Sequence, residues 1–209
     1  MVLPIGGVGT HGGVLLLTDS APIALDTEDV ELLELLASQA TACLVTATAL
    51  EEMGERAARD ALTGLGHHAT FHSALAEGCS GPTEPRLALL VVDVDGFKAV
   101  NDDFGHQAGD RLLTDVSQAL DGALGGDDCL FRIGGDEFAA LLRVGDRPER
   151  EAEATAERLR DAVAASGQPS VSIGVAIREP GEQPSSLFAR ADAALYRAKR
   201  GGRDATVLA

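Results

Sequence analysis

An α/β fold, with a mixed central sheet flanked by helices behind a long N-terminal helix, is what the pattern of this chain predicts. Three observations carry the prediction. Leu87 to Val92 is an unbroken apolar run, the mark of a strand buried on both faces. Two apolar runs flank Gly134-Gly135, a hairpin signal in the middle of an otherwise alternating strand and helix order. From Thr27 to about Arg59, apolar residues recur every three or four positions with no proline between them.

In chain order, residues 1–26 read as strands around two glycine clusters, with Val14 to Leu17 entered from a hairpin. Gly7-Val8-Gly9-Thr10-His11-Gly12 formally matches a dinucleotide-binding spacing. It lacks the strand before it and the helix after it that a phosphate loop needs, so a glycine-rich hairpin is the better reading. Thr27 with Glu28 and Asp29 marks a helix start, the acids opposing the helix dipole. Val30, Leu33, Leu36, Ala37, Ala40, Cys43 and Leu44 begin the apolar stripe that continues to Ala57. A helix of residues 27–59 exceeds what a small domain needs, so it is expected to pair with a copy of itself.

The second domain, 60–209, opens near Asp60. After the buried strand come helices at Phe97 to Phe104 and Asp110 to Leu124, then the hairpin Cys129 to Ile133 and Phe138 to Leu142. A charged amphipathic helix spans Glu149 to Ala165, with Ala152, Ala156, Leu159, Ala162 and Val163 inward. Ser170 to Ile177 is a strand, Ser185 to Lys199 a helix and Ala205 to Leu208 a last short strand.

Composition narrows the function. The formal net charge of -16 repels phosphodiester backbones and anionic lipid surfaces, which argues against nucleic-acid and membrane-surface partners. Cys43, Cys79 and Cys129 form no Cys-x-x-Cys pair, which points to a reducing, cytoplasmic compartment. No apolar stretch approaches the roughly 20 residues of a membrane helix.

Chemistry concentrates at two acidic strand ends. Asp93 and Asp95 close the buried strand two residues apart, and so on one face, while Asp136 and Glu137 sit at the hairpin tip. Turn acids on a hairpin are commonly just solvated. If the two strands are neighbours, however, three or four carboxylates converge, and such a cluster needs a cation. Hard oxygen donors suit magnesium, which keeps waters and completes its shell with phosphates. Lys98 follows Asp95, and Lys199, Arg200 and Arg203 gather at the end of the last helix. Arg200 is explained by the helix dipole; Lys199 and Arg203 suit a polyphosphate. His67, His68 and His72 suggest either a metal cluster or, better supported, a polar loop entering a helix.

Asp60-Ala61-Leu62-Thr63-Gly64-Leu65, VVDVDGFKAVNDDFGHQAGD over 91–110, FRIGGDEF over 131–138, VSIGVA over 171–176 and ADAALYRAKRGGRD over 191–204 together resemble a diguanylate cyclase of the GGDEF family. The resemblance covers 60–209; residues 1–26 resemble, more weakly, the C-terminal part of a GAF sensor domain, and 27–59 a signalling helix. It implies an α+β palm-like fold with a catalytic β-hairpin. Each domain would hold one GTP, and two facing domains would join them into cyclic di-GMP with release of two pyrophosphates. It further implies that Asp93, Asp136 and Glu137, with the carbonyl of Val94, hold metal: two magnesium ions per site, or manganese. Gly134 and Gly135 would let the α-phosphate approach the hairpin. Asn101 and Asp110 would read guanine, a carboxylate accepting two guanine N–H donors and rejecting adenine. Phe97, Lys98, Lys199 and Arg203 would bind the rest of GTP. The alternative reading is a non-catalytic GTP-binding or interaction module of the same fold.

Two departures from the family pattern matter. Where an inhibitory product site Arg-x-x-Asp is common, this chain has Gly125-Gly126-Asp127-Asp128, which predicts weak or absent feedback inhibition there. Where Asn-Arg is commoner after Leu65, it has Gly66-His67-His68. His106, after Gly105, reads as a turn residue.

Overall fold

The computed structural model describes residues 2–5, 13–16, 26–80 and 86–209, and the chain divides into two units, residues 1–57 and 58–209. In the first unit β1 (Val2–Ile5) pairs antiparallel with β2 (Gly13–Leu16). The expected glycine turn at 7–12 lies outside the described residues. The helix α1 runs Thr27–Ala57, ending a little before the expected limit. Its cap is one residue earlier than the sequence suggested: Asp26 Oδ1 accepts the Asp29 N–H at 2.8 Å, and Asp29 Oδ2 accepts the Asp26 N–H at 3.2 Å. This reciprocal box satisfies two of the unpaired donors of the first turn.

The second unit is built on a six-stranded mixed sheet of order β3-β5-β6-β4-β7-β8. The strands are β3 (Gly66–His67), β4 (Arg86–Val94), β5 (Cys129–Arg132), β6 (Glu137–Val144), β7 (Val171–Ile177) and β8 (Thr206–Leu208). β4 is central and antiparallel to both neighbours; β3 and β8 join as parallel edges. Helices cover both faces: α2 (His68–Ser80) and α6 (Pro184–Arg200) on one, α4 (His106–Ala123) and α5 (Pro148–Ala165) on the other, with α3 (Phe97–Phe104) packed on α4.

The pleat of β4 divides the core. Ala88, Leu90, Val92 and Val94 meet Leu112, Val116, Leu120, Ala156, Leu159 and Val163 of α4 and α5. Leu87, Leu89 and Val91 meet Phe71 and Leu75 of α2 and Leu187, Ala191 and Leu195 of α6. Both sets are buried, which is why the strand reads as a continuous apolar run rather than an alternating one. Two elements were not legible as such. The polar stretch expected at Gly66–His68 is an edge strand leading into α2, and α4 starts at His106, four residues before the expected Asp110. Gly105, at φ 79°, breaks the chain between α3 and α4 and so permits the earlier start.

Candidate active site

Strand register decides which carboxylates meet. Asp93 continues the face of β4 that carries Leu89 and Val91, and Glu137 shares the face of β6 that carries Ala139 and Leu141. The two are paired directly across the ladder. The Val94 N–H donates to the carbonyl of Asp136 at 3.1 Å, so the hairpin tip is fastened to the end of β4. Burial pushes the Asp93 carboxyl up from 3.8 to about 6; the charges of Asp136 and Glu137 add to the rise, while the hydrogen-bonded Lys199 ammonium opposes it.

Lys199 arrives from α6. Ala191, Leu195 and Lys199 follow at intervals of four, one stripe of the helix, and the first two lie on the sheet. The third reaches beyond the core, placing its Nζ 2.6 Å from Asp93 Oδ2. Gly174 of β7 makes this approach possible. A Cβ there would stand 2.1 Å from the Ala191 carbonyl oxygen and 2.2 Å from the Leu195 nitrogen, both backbone atoms.

Asp95 does not join the cluster, which corrects the expectation from its spacing. It lies just past β4, 8% exposed, and its oxygens accept the Ser172 hydroxyl at 2.8 Å, the Ser170 hydroxyl at 2.8 Å and the Asp204 N–H at 3.1 Å. Arg203 Nε is 4.0 Å away. With its lone pairs so engaged, Asp95 serves the protein's own architecture. The acids whose charges act on Asp93 are Asp136 and Glu137.

The hairpin glycines also differ from expectation. Neither Gly134 nor Gly135 has the positive φ that a two-residue hairpin turn would demand. The turn is wider: the N–H groups of Ile133 and Gly134 both donate to the Glu137 carbonyl, at 2.9 and 3.2 Å. Glycine at 134 is a matter of space, since a Cβ would lie 2.6 Å from Glu137 Oε2 and 3.1 Å from its Cβ, whereas one at Gly135 would meet nothing within 4 Å. Arg132, which sequence reasoning passed over, holds the tip. One guanidinium nitrogen donates to both oxygens of Asp60, at 2.9 and 3.1 Å, and the other to the Gly135 carbonyl at 2.7 Å. Asp60 also accepts the hydroxyl and N–H of Thr63. Its burial favours the neutral form, but these hydrogen bonds and Arg132 prevail and hold the carboxyl below its ordinary value. The only hint in the sequence was a basic residue inside a strand next to a glycine turn.

A second glycine seats α3 on α4. A Cβ at Gly109 would fall 2.0 Å from Asn101 Oδ1 and 3.1 Å from the Phe97 ring, so the Asn101 side chain lies directly on α4 at Gly109, the residue before Asp110. Lys98 and Asp110 are exposed, Asn101 half-buried, and Phe97 packs against the core of the α4 face. His67 accepts the Thr70 N–H at 3.3 Å as a cap of α2, while His68 and His72 pair with each other, Nε2 to Nε2 at 3.1 Å. At 125–128, Asp128 turns back to accept the Gly125 N–H at 3.2 Å.

Among the described residues no group of three such side chains forms a ready metal cage. What exists is a crowded set of hard oxygen donors, one of them buried and reluctant to ionise, beside a single ammonium. That donor set fits a divalent cation which takes its remaining ligands from water and substrate.

The family model for the diguanylate cyclase GGDEF domain matches residues 57–205. The chain belongs to the GGDEF family. Among curated GGDEF proteins it is 40% identical over 168 residues to diguanylate cyclase DgcP of Pseudomonas aeruginosa, covering 74% of this chain and 24% of that one. It is 40% identical over 176 residues to DgcM of Escherichia coli, covering 77% and 40%. The chain thus spans well under half the length of these relatives. The solved coiled coil and GGDEF domain of DgcB from Caulobacter crescentus, in complex with c-di-GMP, superposes with a TM-score of 0.76 at 32% identity, over 85% of this chain and 99% of that one. Diguanylate cyclase SiaD of Pseudomonas aeruginosa, solved with its activator SiaC, gives 0.69 at 34% identity, over 87% and 74%. No helix among the described residues is long and apolar enough to cross a membrane.

Proposed function

We propose that this chain is a diguanylate cyclase acting as a homodimer, each protomer holding one GTP. The observation that carries the reading is the pairing of Asp93 with Glu137 across the ladder, beside Asp136 and with Lys199 on Asp93, at the end of the central strand and the tip of the GGDEF hairpin. The 3′-hydroxyl of one GTP attacks the α-phosphorus of the other, the bond to the β-phosphate breaks and pyrophosphate leaves. A second, reciprocal displacement closes the ring.

Asp93, Asp136 and Glu137, with the Val94 carbonyl, are the residues that would hold magnesium, or manganese, which when bound supplies charge neutralisation at the phosphates. The bare backbone at Gly135 leaves room for the α-phosphate. Lys199 and Arg203, with Lys98, bind the triphosphate; Lys199 exchanges its contact with Asp93 for one with substrate oxygens. Asn101, seated on Gly109, and Asp110, the next residue of α4, read guanine, with Phe97 beside Gly109. Glu137 either binds metal or helps deprotonate the hydroxyl. The rate gain comes mainly from positioning two substrates and neutralising charge.

Dimerisation belongs to α1, where Leu32, Leu35 and Leu36 are 56%, 58% and 52% exposed along one stripe. Residues 1–26 fit the end of a GAF-like sensor, the antiparallel β1–β2 pair supporting that reading. Gly125 in place of an arginine, and Asp128 folded back on its own turn, support weak product inhibition at 125–128.

Incubating the chain with GTP and magnesium, with mass detection of products, tests the proposal. Cyclic di-GMP and pyrophosphate are expected, and Asp136→Ala should abolish them while the circular dichroism spectrum is kept. A dimeric sample that binds GTP and yields no cyclic dinucleotide would make this a binding module instead.

A further inference from the structure

The turn after α6 is held in an unusual conformation by a residue to which no catalytic part has been given. Arg203 and Asp204 are the two non-glycine residues with positive φ among those described, at 64° and 44°. Two successive side chains in the left-handed region persist only where the surroundings over-determine them. Three sets of contacts do so. The Arg203 N–H donates to the Ala198 carbonyl at 3.1 Å, closing the helix end. Arg160 of α5 grips Asp204, donating to its carboxylate at 2.7 Å and to its carbonyl at 2.6 Å. Asp95 accepts the Asp204 N–H at 3.1 Å, while the hydroxyls of Ser170 and Ser172 at the start of β7 hold that carboxylate in place.

Asp95 is therefore the point where the end of β4, the start of β7 and the α6–β8 turn are tied together. It is 8% exposed, and the charged group of Arg203 lies 4.0 Å from its Oδ1, while Arg203 itself stays mostly in solvent. A buried carboxyl group held by three donors, with a guanidinium 4.0 Å beyond them, gives the turn that carries this guanidinium a fixed anchor. It also acts two residues from Asp93, so the turn and the carboxylate cluster share one fixed point.

We propose that Asp95 is a positioning residue for triphosphate binding: it fixes the Arg203–Asp204 turn and thereby aims the Arg203 cation at the β- and γ-phosphates, without touching substrate itself. This rests on the reading of Arg203 as a substrate cation given above. Through Arg203 it governs affinity for the polyphosphate rather than the chemical step.

Asp95→Asn, Arg203→Ala and the double variant test it in the full chain, through GTP turnover with magnesium and calorimetric binding of GTP and of GMP. Asp95→Asn is expected to raise KM for GTP about tenfold with kcat changed less than about threefold. GMP, which lacks the outer phosphates, should bind all three variants as it binds the parent. Because Asp95 acts through Arg203, the double variant should match Arg203→Ala within about twofold. Additive losses, a fall in kcat at unchanged KM, or an equal loss of GMP affinity would each overturn the proposal. Where Arg203→Ala raises KM and Asp95→Asn does not, only the positioning role fails; where Arg203→Ala leaves KM unchanged, the reading of Arg203 fails and takes this proposal with it. If Asp95→Asn does not fold, Ser170→Ala should raise KM about threefold and Ser170→Thr, which keeps the hydroxyl, should restore it; a parental KM in Ser170→Ala then counts against the proposal.

Discussion

Asp60 and Arg132 show how one ion pair can hold a hairpin tip. The pair is largely shielded, with side chains 23% and 13% exposed, and Arg132 spends its second nitrogen on the Gly135 carbonyl. Removing the charge on Asp60 leaves a largely buried guanidinium with a weaker acceptor, so Asp60→Asn should cost about 1–3 kcal/mol at neutral pH. The sign of the pH dependence follows from a carboxyl held below 3.8 in the folded state. Its contribution is fully present above pH 3.8 and is lost as pH falls through the lower, folded value. Urea unfolding at several pH values should therefore show a gap between parent and Asp60→Asn that is constant above about pH 5 and narrows below pH 3.8. A gap that widens on acidification would contradict the assignment.

At the scale of elements, the placing of α6 on β7 depends on a missing methyl group. Gly174 faces backbone atoms of α6 that cannot rotate away, unlike the flexible carboxylate opposite Gly134. Gly174→Ala must push the helix off the sheet, with an expected loss of about 3 kcal/mol or more. The same shift would draw Lys199 from Asp93, so activity should fall further than stability explains. Chemical denaturation together with turnover at a temperature where the variant is fully folded checks both; a variant as stable as the parent would mean α6 is not seated as described. Gly109 works in the same way between α3 and α4, where the neighbour is a side chain, so the effect there falls on Asn101 rather than on the backbone.

At the scale of the whole molecule, two substrates must face one another for the proposed reaction, which makes assembly part of catalysis. The exposed stripe Leu32, Leu35 and Leu36 is the surface to alter. Leu35→Lys with Leu36→Lys should weaken self-association by at least about tenfold, read by sedimentation, and make activity per protomer steeply dependent on concentration. GTP binding by each protomer should be untouched. An altered protein that stays dimeric would move the interface away from α1.

Much of this was legible in the residues. The run at 87–92 and the amphipathic period at 149–165 are local patterns, and strand and helix positions follow from them within a few residues, whereas the turn geometry at 105 and 134–135 did not follow from the glycines alone. The residue types available for the proposed metal, phosphate and guanine contacts could also be read from the chain, because motif spacing is written along it. Which side chains become partners depends on packing in three dimensions. Asp93 and Asp95 are equivalent in spacing, yet register pairs the first with Glu137 and under Lys199, while Ser170, Ser172 and Asp204 claim the second. Arg132 and Asp60 are 72 residues apart in sequence. The difference is physical: local propensity acts over a few bonds, whereas the partners of a carboxylate are set by sheet register and by how closely a glycine lets a helix approach.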